Sequence, residues 1–261
     1  MENDDQQIGY LLTRREALGI MGATGFMIFT GCRPGGRTTM DTASAASAST
    51  ARAAGVSPSA SGVCVVRPQL TEGPYFVDER LNRSDIRSDP ATGAISPGAP
   101  LDLSISVSRF AANACTPLAG MIVDLWHCDH AGVYSDARDR GFTTVGQKFL
   151  RGYQTTDANG VARFTTIYPG WYRGRAVHLH FKIRSALTGS GEEFTSQLFF
   201  DDALTDEVYT KPPYADKGIR NVRNSRDGIF NESGGQLMLD VKPSGGGQGY
   251  AGSFSIALQQ V

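Results

Sequence analysis

Tyr168-Pro169-Gly170-Trp171-Tyr172-Arg173-Gly174-Arg175-Ala176-Val177-His178-Leu179-His180-Phe181 is the stretch whose pattern decides the fold. From Val177 onward apolar residues (Val177, Leu179, Phe181, Ile183) alternate with polar ones (His178, His180, Lys182, Arg184). A period of two marks a β-strand, because successive side chains leave opposite faces of a sheet. Both imidazoles therefore project from one face, about 7 Å apart at the backbone, a spacing that lets them reach one metal ion. On its own, His-x-His on a strand also fits two surface or hydrogen-bonded histidines. Tyr172, in the loop that feeds the strand, and the remaining segments have to decide.

Upstream, Leu118 to Ser135 begins as a buried strand and closes with the turn Asp129-His130-Ala131-Gly132, which delivers Tyr134. Leu101 to Val107 alternates cleanly, as expected for a strand with one core face and one wet face. Arg151–Thr156 and Val161–Thr166 flank Asp157-Ala158-Asn159-Gly160, which reads as a hairpin loop. Val63 to Val66 opens the folded part, and Gly73-Pro74 punctuates an extended run before Tyr75. Downstream, Phe194–Phe200 and residues 235–241 and 253–259 supply further strands, with one helical turn over 202–209. Eight or nine short strands and no long helix predict an all-β protein, a single antiparallel β-sandwich whose edge loops carry the chemistry.

The 261 residues suffice for one substantial core, and the 31 glycines suit a turn-rich β protein. A net charge of −1 supplies no electrostatic reason for nucleic acid or a polybasic membrane surface, so partners are expected to be small or protein-like. Residues 1–32 read as a targeting segment. Thr13-Arg14-Arg15-Glu16-Ala17-Leu18 sets paired arginines before a short glycine-rich apolar run, Leu18 to Phe29, and resembles a twin-arginine export signal. Phe29-Thr30-Gly31-Cys32 resembles a lipobox with phenylalanine in the usual leucine place, which would make Cys32 a lipid anchor. Residues 33–62, rich in Ala, Ser, Thr and Gly, bury too little surface to offset their ordering entropy and read as a disordered tether before the domain at 63–261. The expected location is periplasmic or extracellular. In an oxidising compartment one disulfide is expected. Cys115 and Cys128 bracket an extended strand that holds them apart, so Cys64 with Cys115 is preferred, Cys64 with Cys128 is the alternative, and Cys128 is left as a buried thiol.

Taken together these segments resemble the intradiol ring-cleavage dioxygenases, non-haem iron(III) enzymes that open catechols between the two hydroxyls. The resemblance runs from about Leu70 to Asp202 and more thinly through Tyr214, Asn224 and Asp227. It rests on Thr71-Glu72-Gly73-Pro74-Tyr75; on Val123-Asp124-Leu125-Trp126-His127 followed by Gly132-x-Tyr134-Ser135; on Leu150-Arg151-Gly152 followed by Thr156-Asp157-x-x-Gly160; on Pro169-Gly170-x-Tyr172; on Arg175-x-x-His178-x-His180-Phe181; and on Thr195-x-Gln197. The resemblance implies Fe(III) held by Tyr134, Tyr172, His178 and His180, a donor set whose two phenolates favour the ferric state. It further implies Tyr172 as ligand and base in turn, Arg175 stabilising negative charge on the substrate ring, Gln197 orienting groups near the metal, and Gly73, Pro74 and Tyr75 lining the substrate pocket. The implied substrates are an aromatic diol and O2, giving a cis,cis-muconate-type diacid. Two features depart from well-known relatives: the region of their helical dimerisation domain is here signal and tether, and only Arg173 and Gly174 separate Tyr172 from Arg175, which suggests an open site for bulkier diols. His127 is expected to be structural and His130 solvated. Two other readings stand beside this one, a metal-free sandwich serving as a binding module and a copper or zinc site built from His127, His178 and His180.

Overall fold

The computed structural model describes residues 64–189, 191–245 and 249–259. The expected export signal (1–32), the acylation site at Cys32 and the tether (33–62) lie outside the described residues. Nine strands are present among the latter: β1 Pro100–Ala111, β2 Ala114–Pro117, β3 Ile122–Trp126, β4 Arg151–Thr155, β5 Val161–Ile167, β6 His178–Arg184, β7 Glu193–Phe199, β8 Asp240–Pro243 and β9 Tyr250–Gln259. They form two sheets, one ordered β2-β1-β9-β8 with β5 also on β1, the other β4-β3-β6-β7. Long β1 serves two antiparallel partners in succession, β5 along Pro100–Ser106 and β2 along Ser108–Ala111, while β9 runs beside it in parallel. The sandwich expected from the strand pattern is therefore present, but the β1–β9 pair is parallel. Alternation reports which face a residue takes and carries no strand direction.

The core lies between the sheets. Leu101, Leu103, Ile105 and Val107 of β1, with Phe164, Phe254 and Ile256, meet Val123, Leu125, Leu179, Phe181, Ile183 and Leu198 of the other sheet. Each such side chain contributes roughly 1.5–3 kcal/mol by leaving water, and together they set both sheets in register. β4 and β5 correct the hairpin expected at Asp157–Gly160, because β4 pairs with β3 and β5 pairs with β1. The turn itself forms as its residues dictate: Asp157 Oδ1 accepts from Asn159 N and Val161 N, and Gly160 has φ 74°. It turns a corner between sheets, since turn chemistry reverses the chain without specifying which strands will bond.

The polar face of β6 is also buried. The extended segment Leu70–Asp78 lies over it, fixed by Leu70 N donating to Thr195 O at 3.1 Å. Lys182 pairs with Glu72 and stands 4.1 Å from the centre of the Phe76 ring, and Arg184 reaches Asp124 at 2.8 Å and Asp78 at 3.3 Å. Two short helices, α1 (Asp202–Val208) and α2 (Gly228–Glu232), follow β7, each capped by an aspartate, Asp201 and Asp227. Among the described residues no helix is long and apolar enough to cross a membrane. The disulfide is Cys64–Cys115, the preferred pair, and Cys128 is a free thiol, buried, with its pKa pushed up to about 12 chiefly by that burial.

Candidate metal centre

The register of the β4-β3-β6-β7 sheet aligns four side chains in one transverse row. Arg151 is opposite Trp126, Trp126 opposite His180, and His180 opposite Gln197. Residues directly opposite share a face, so all four project to the side away from the core. The Trp126 ring stacks on the His180 ring, centroids 5.0 Å apart at 11°. His178 stands two residues earlier on the same face.

Two loops bring phenols to these imidazoles. Asp129 Oδ1 accepts from Ala131 N and Val133 N, each at 2.9 Å, and this turn aims Tyr134 inward, where it is 1 % exposed. The Tyr75 ring stacks on it at 4.4 Å and 19°. Tyr172, half-buried, enters from the loop ahead of β6. The resulting chain of contacts is short: Tyr172 Oη to His178 Nε2, 3.1 Å; His178 Nε2 to His180 Nε2, 3.2 Å; His180 Nε2 to Tyr134 Oη, 3.2 Å. The geometry brings together all four residues implied as ligands.

Electrostatics explain why this cluster suits a cation. His178 Nδ1 donates to Ala176 O at 2.7 Å, and since a carbonyl only accepts, Nε2 is left presenting its lone pair to the cluster. The Nδ1 of His180 is buried without a partner. Burial, and then the Arg175 charge, holds His178 well below the usual imidazole range; burial, and then His178, does the same to His180. Burial likewise raises the Tyr134 phenol, with Tyr172 adding to it. Two unprotonated imidazoles with adjoining phenols form a pocket of oxygen and nitrogen lone pairs, and a bound cation would reverse the phenol's preference for its proton. Donors at about 2 Å from one ion stand roughly 3 Å from each other, which matches the contacts observed. Among the described residues no group of three His, Cys, Asp or Glu could hold a metal, so the donor set needs its two tyrosines.

Around the cluster, Arg175 Nε donates to Asp227 Oδ2 at 2.9 Å and Nη2 to Gln197 Oε1 at 2.6 Å; Gln197 Nε2 in turn donates to Thr71 O at 2.9 Å. Burial alone would lower the Arg175 pKa, but Tyr172 and Asp227 outweigh it and keep the guanidinium charged. Gly73 adjoins His180: its φ is 72°, and a Cβ there would sit 3.3 Å from His180 Cε1. Pro74 is exposed beside it, and Tyr75 both stacks on Tyr134 and bonds Asp139.

Sequence reasoning did not single out Arg151 or Asp227 for a role, although both lay within or near the family motifs. Arg151 is 2 % exposed and donates to Tyr75 O at 2.6 Å and to Ser135 Oγ at 2.9 Å, so it fastens the neighbours of both Gly-Pro and Tyr134. Leu150, immediately before it, has φ 54°, a strained setting for a branched residue that turns Arg151 into the row. Asp227 accepts from Arg175 and from Ala176 N at 2.7 Å. His127 is structural, as expected. Its Nδ1 bonds Cys128 O at 2.8 Å and its Nε2 bonds Thr166 Oγ1 at 2.7 Å, which leaves neither nitrogen for the histidine-only metal site. His130 is a correction: it lies in its turn but is half-buried, with its Nδ1 sequestered and its ring edge-on to Tyr214, because the turn packs against the 168–172 loop.

A β-sandwich carrying this site at one face matches, over residues 71–242, the family model described as Dioxygenase, which sets the protein among the oxygen-using oxidoreductases. The chain belongs to the intradiol ring-cleavage dioxygenase family. It is 28 % identical over 198 residues to the protocatechuate 3,4-dioxygenase beta chain of Burkholderia cepacia, covering 71 % of this chain and 76 % of that one. Among solved structures it resembles the intradiol ring-cleavage dioxygenase of Tetranychus urticae, with a TM-score of 0.65, 29 % identity and coverage of 75 % of this chain and 95 % of the other. It also resembles the dioxygenase domain of a dioxygenase–carbohydrate-binding fusion from Streptomyces sp. SirexAA-E, at TM-score 0.53 and 28 % identity, covering 76 % of this chain and all of that domain, 100 %.

Proposed function

We propose that this protein uses iron(III), held by Tyr134, Tyr172, His178 and His180, to cleave catechol-type diols between their hydroxyls with O2. The observation that carries the reading is the chain of three contacts, each 3.1 or 3.2 Å, joining four donor atoms from three separate segments. Bound iron(III) would supply a Lewis acid, and with it a stronger preference of the diol for its deprotonated form and for reaction with oxygen. Catechol and O2 together balance a muconate-type diacid that retains both oxygen atoms.

The side chains divide the remaining work. Tyr172, the less buried phenol, is placed to give way to a substrate hydroxyl and accept its proton at Oη, while Tyr134, enclosed by Tyr75, stays. Arg175, pinned by Asp227 and Gln197, holds a fixed positive charge beside the ring as negative charge develops there. Gly73, by carrying no side chain next to His180, leaves room for the ring, with Pro74 and Tyr75 as neighbouring walls. Arg173 and Gly174, the two residues between Tyr172 and Arg175, are exposed, which supports an open mouth and larger substituted catechols as substrates. Residues 1–32 and 33–62 are assigned as export signal and tether, which puts the reaction outside the cytoplasm; cell fractionation tests this.

Metal analysis with a visible spectrum, before and after anaerobic addition of catechol, tests the site. The expected result is one iron per chain and a phenolate-to-iron(III) band that shifts on adding catechol and is bleached or moved by Tyr134→Phe or Tyr172→Phe. A colourless, iron-free protein after expression with iron would refute the reading. In steady state, strict preference for unsubstituted catechol over bulkier diols would count against the open mouth.

A further inference from the structure

Lys217 ends the short 3-10 turn Ala215–Lys217, outside the cluster of donor atoms. Its ammonium donates to two backbone carbonyls, those of Ala131 and Trp171, and stands 4.7 Å from the centre of the Trp171 ring. Ala131 lies three residues before Tyr134, and Trp171 immediately precedes Tyr172. One cation therefore bridges the two segments that carry the two phenols.

The surrounding packing makes that bridge consequential. Gly170 N donates to Asp129 O at 3.0 Å, so the two segments lie backbone against backbone. A Cβ on Gly170 would collide with the carbonyls of Asp129 and His130, and one on Gly132 with the Trp171 carbonyl and the Lys217 ammonium. With no side chain between them, the separation of the segments depends on the few groups that bond across. Both phenols are held by neighbouring rings, Tyr134 by Tyr75 and Trp126 and Tyr172 by Tyr134 and His178, but Tyr134 is fully buried whereas Tyr172 is half-buried, and the backbone just before it sets where its ring enters. A charge-assisted bond to the carbonyl of residue 171 acts on the peptide unit that leads into Tyr172.

We propose that Lys217 is the positioning residue for Tyr172: by tying the Trp171 and Ala131 carbonyls together it sets how far the Tyr172 phenol stands from Tyr134, and thereby how readily it yields to a substrate hydroxyl. The functional consequence rests on the metal reading above; the tether itself is a property of the protein fold. Lys217→Met keeps the aliphatic stem over Trp171 and removes the ammonium, and Lys217→Arg restores a cationic donor. In the full-length metal-free chain, Lys217→Met is expected to speed amide hydrogen exchange over residues 129–134 and 169–174 by roughly tenfold or more, with the β6–β7 amides unchanged, and Lys217→Arg to reverse much of it. In the iron-loaded chain the phenolate band is expected to shift in Lys217→Met and KM and kcat for catechol to change unequally. Unchanged exchange in both segments, or a lowered melting temperature with the band and the kinetic ratio of wild type, would overturn the proposal. Absence of a phenolate band in the wild type would strike the metal reading alone, and the exchange experiment would still judge the tether.

Discussion

His127 keeps both ring nitrogens inside the protein, and burial first, with the nearby Arg151 charge adding to it, drives its pKa down to about 4. Between pH 6.5 and about 4 the unfolded chain accepts a proton that the folded imidazole refuses, so stability falls as pH drops through that window and levels off below it. The whole effect is worth roughly 3 kcal/mol at most. Urea titrations of wild type and His127→Gln from pH 7 to pH 4 should show a shallower decline in the variant, with the contributions of His178 and His180 common to both; parallel curves would remove His127 from the account. Asp227 presents a second case. Its carboxylate is 1 % exposed and faces the largely buried Arg175. Asp227→Asn keeps the shape and leaves the guanidinium poorly compensated, a change that costs about 3 kcal/mol in buried pairs. We expect lower denaturant stability together with a fall in kcat, because the same guanidinium is assigned to the substrate ring. The four residues proposed as ligands and Arg175 were legible from their motifs. Arg151 and Asp227 were not singled out, because each acts on backbone groups or on another side chain that only becomes a neighbour in the folded state.

At the scale of the element, β6 shows what alternation conveys and what it hides. The period of two placed His178 and His180 together on one face, and the structure agrees. The same pattern normally marks a solvent face, yet Lys182 and Arg184 are 7 % and 4 % exposed under the 70–78 segment. Burial raises the Asp124 carboxyl and Arg184 opposes it, the sign of a pair that stands or falls together. Arg184→Met should cost about 3–5 kcal/mol by stranding Asp124, while Arg184→Met with Asp124→Leu should recover most of that. A double-mutant cycle by chemical denaturation measures it; no recovery in the double variant would show that the pair matters through its shape and not its charge. β2 escaped sequence reading because Ala114–Pro117 is four residues long and ends in proline, and only pairing with β1 makes it a strand.

At the scale of the molecule, Cys64–Cys115 ties the first described residues to β2 across a separation of 51 residues. Loop-closure entropy assigns such a link about 4 kcal/mol. Cys64→Ser with Cys115→Ser is expected to lower the unfolding free energy by an amount of that order and to leave any iron band unchanged, since Cys115 lies on the edge strand of the sheet that does not carry the histidines; a bleached band would show that the link also shapes the site. The amino-acid sequence by itself determined the all-β class and carried the motifs of the family, because strand period, turn residues and motif spacing are local properties of the chain; it left Cys64 between two partners, and the fold pairs it with Cys115 and brings the two tyrosines and two histidines together. The parallel β1–β9 pair, the corner between β4 and β5, the cover over β6, and the supports at Arg151, Asp227 and Lys217 were decided only by tertiary structure. Those features depend on which surfaces meet once the two sheets pack, and residues far apart in the chain carry no local signal of that meeting.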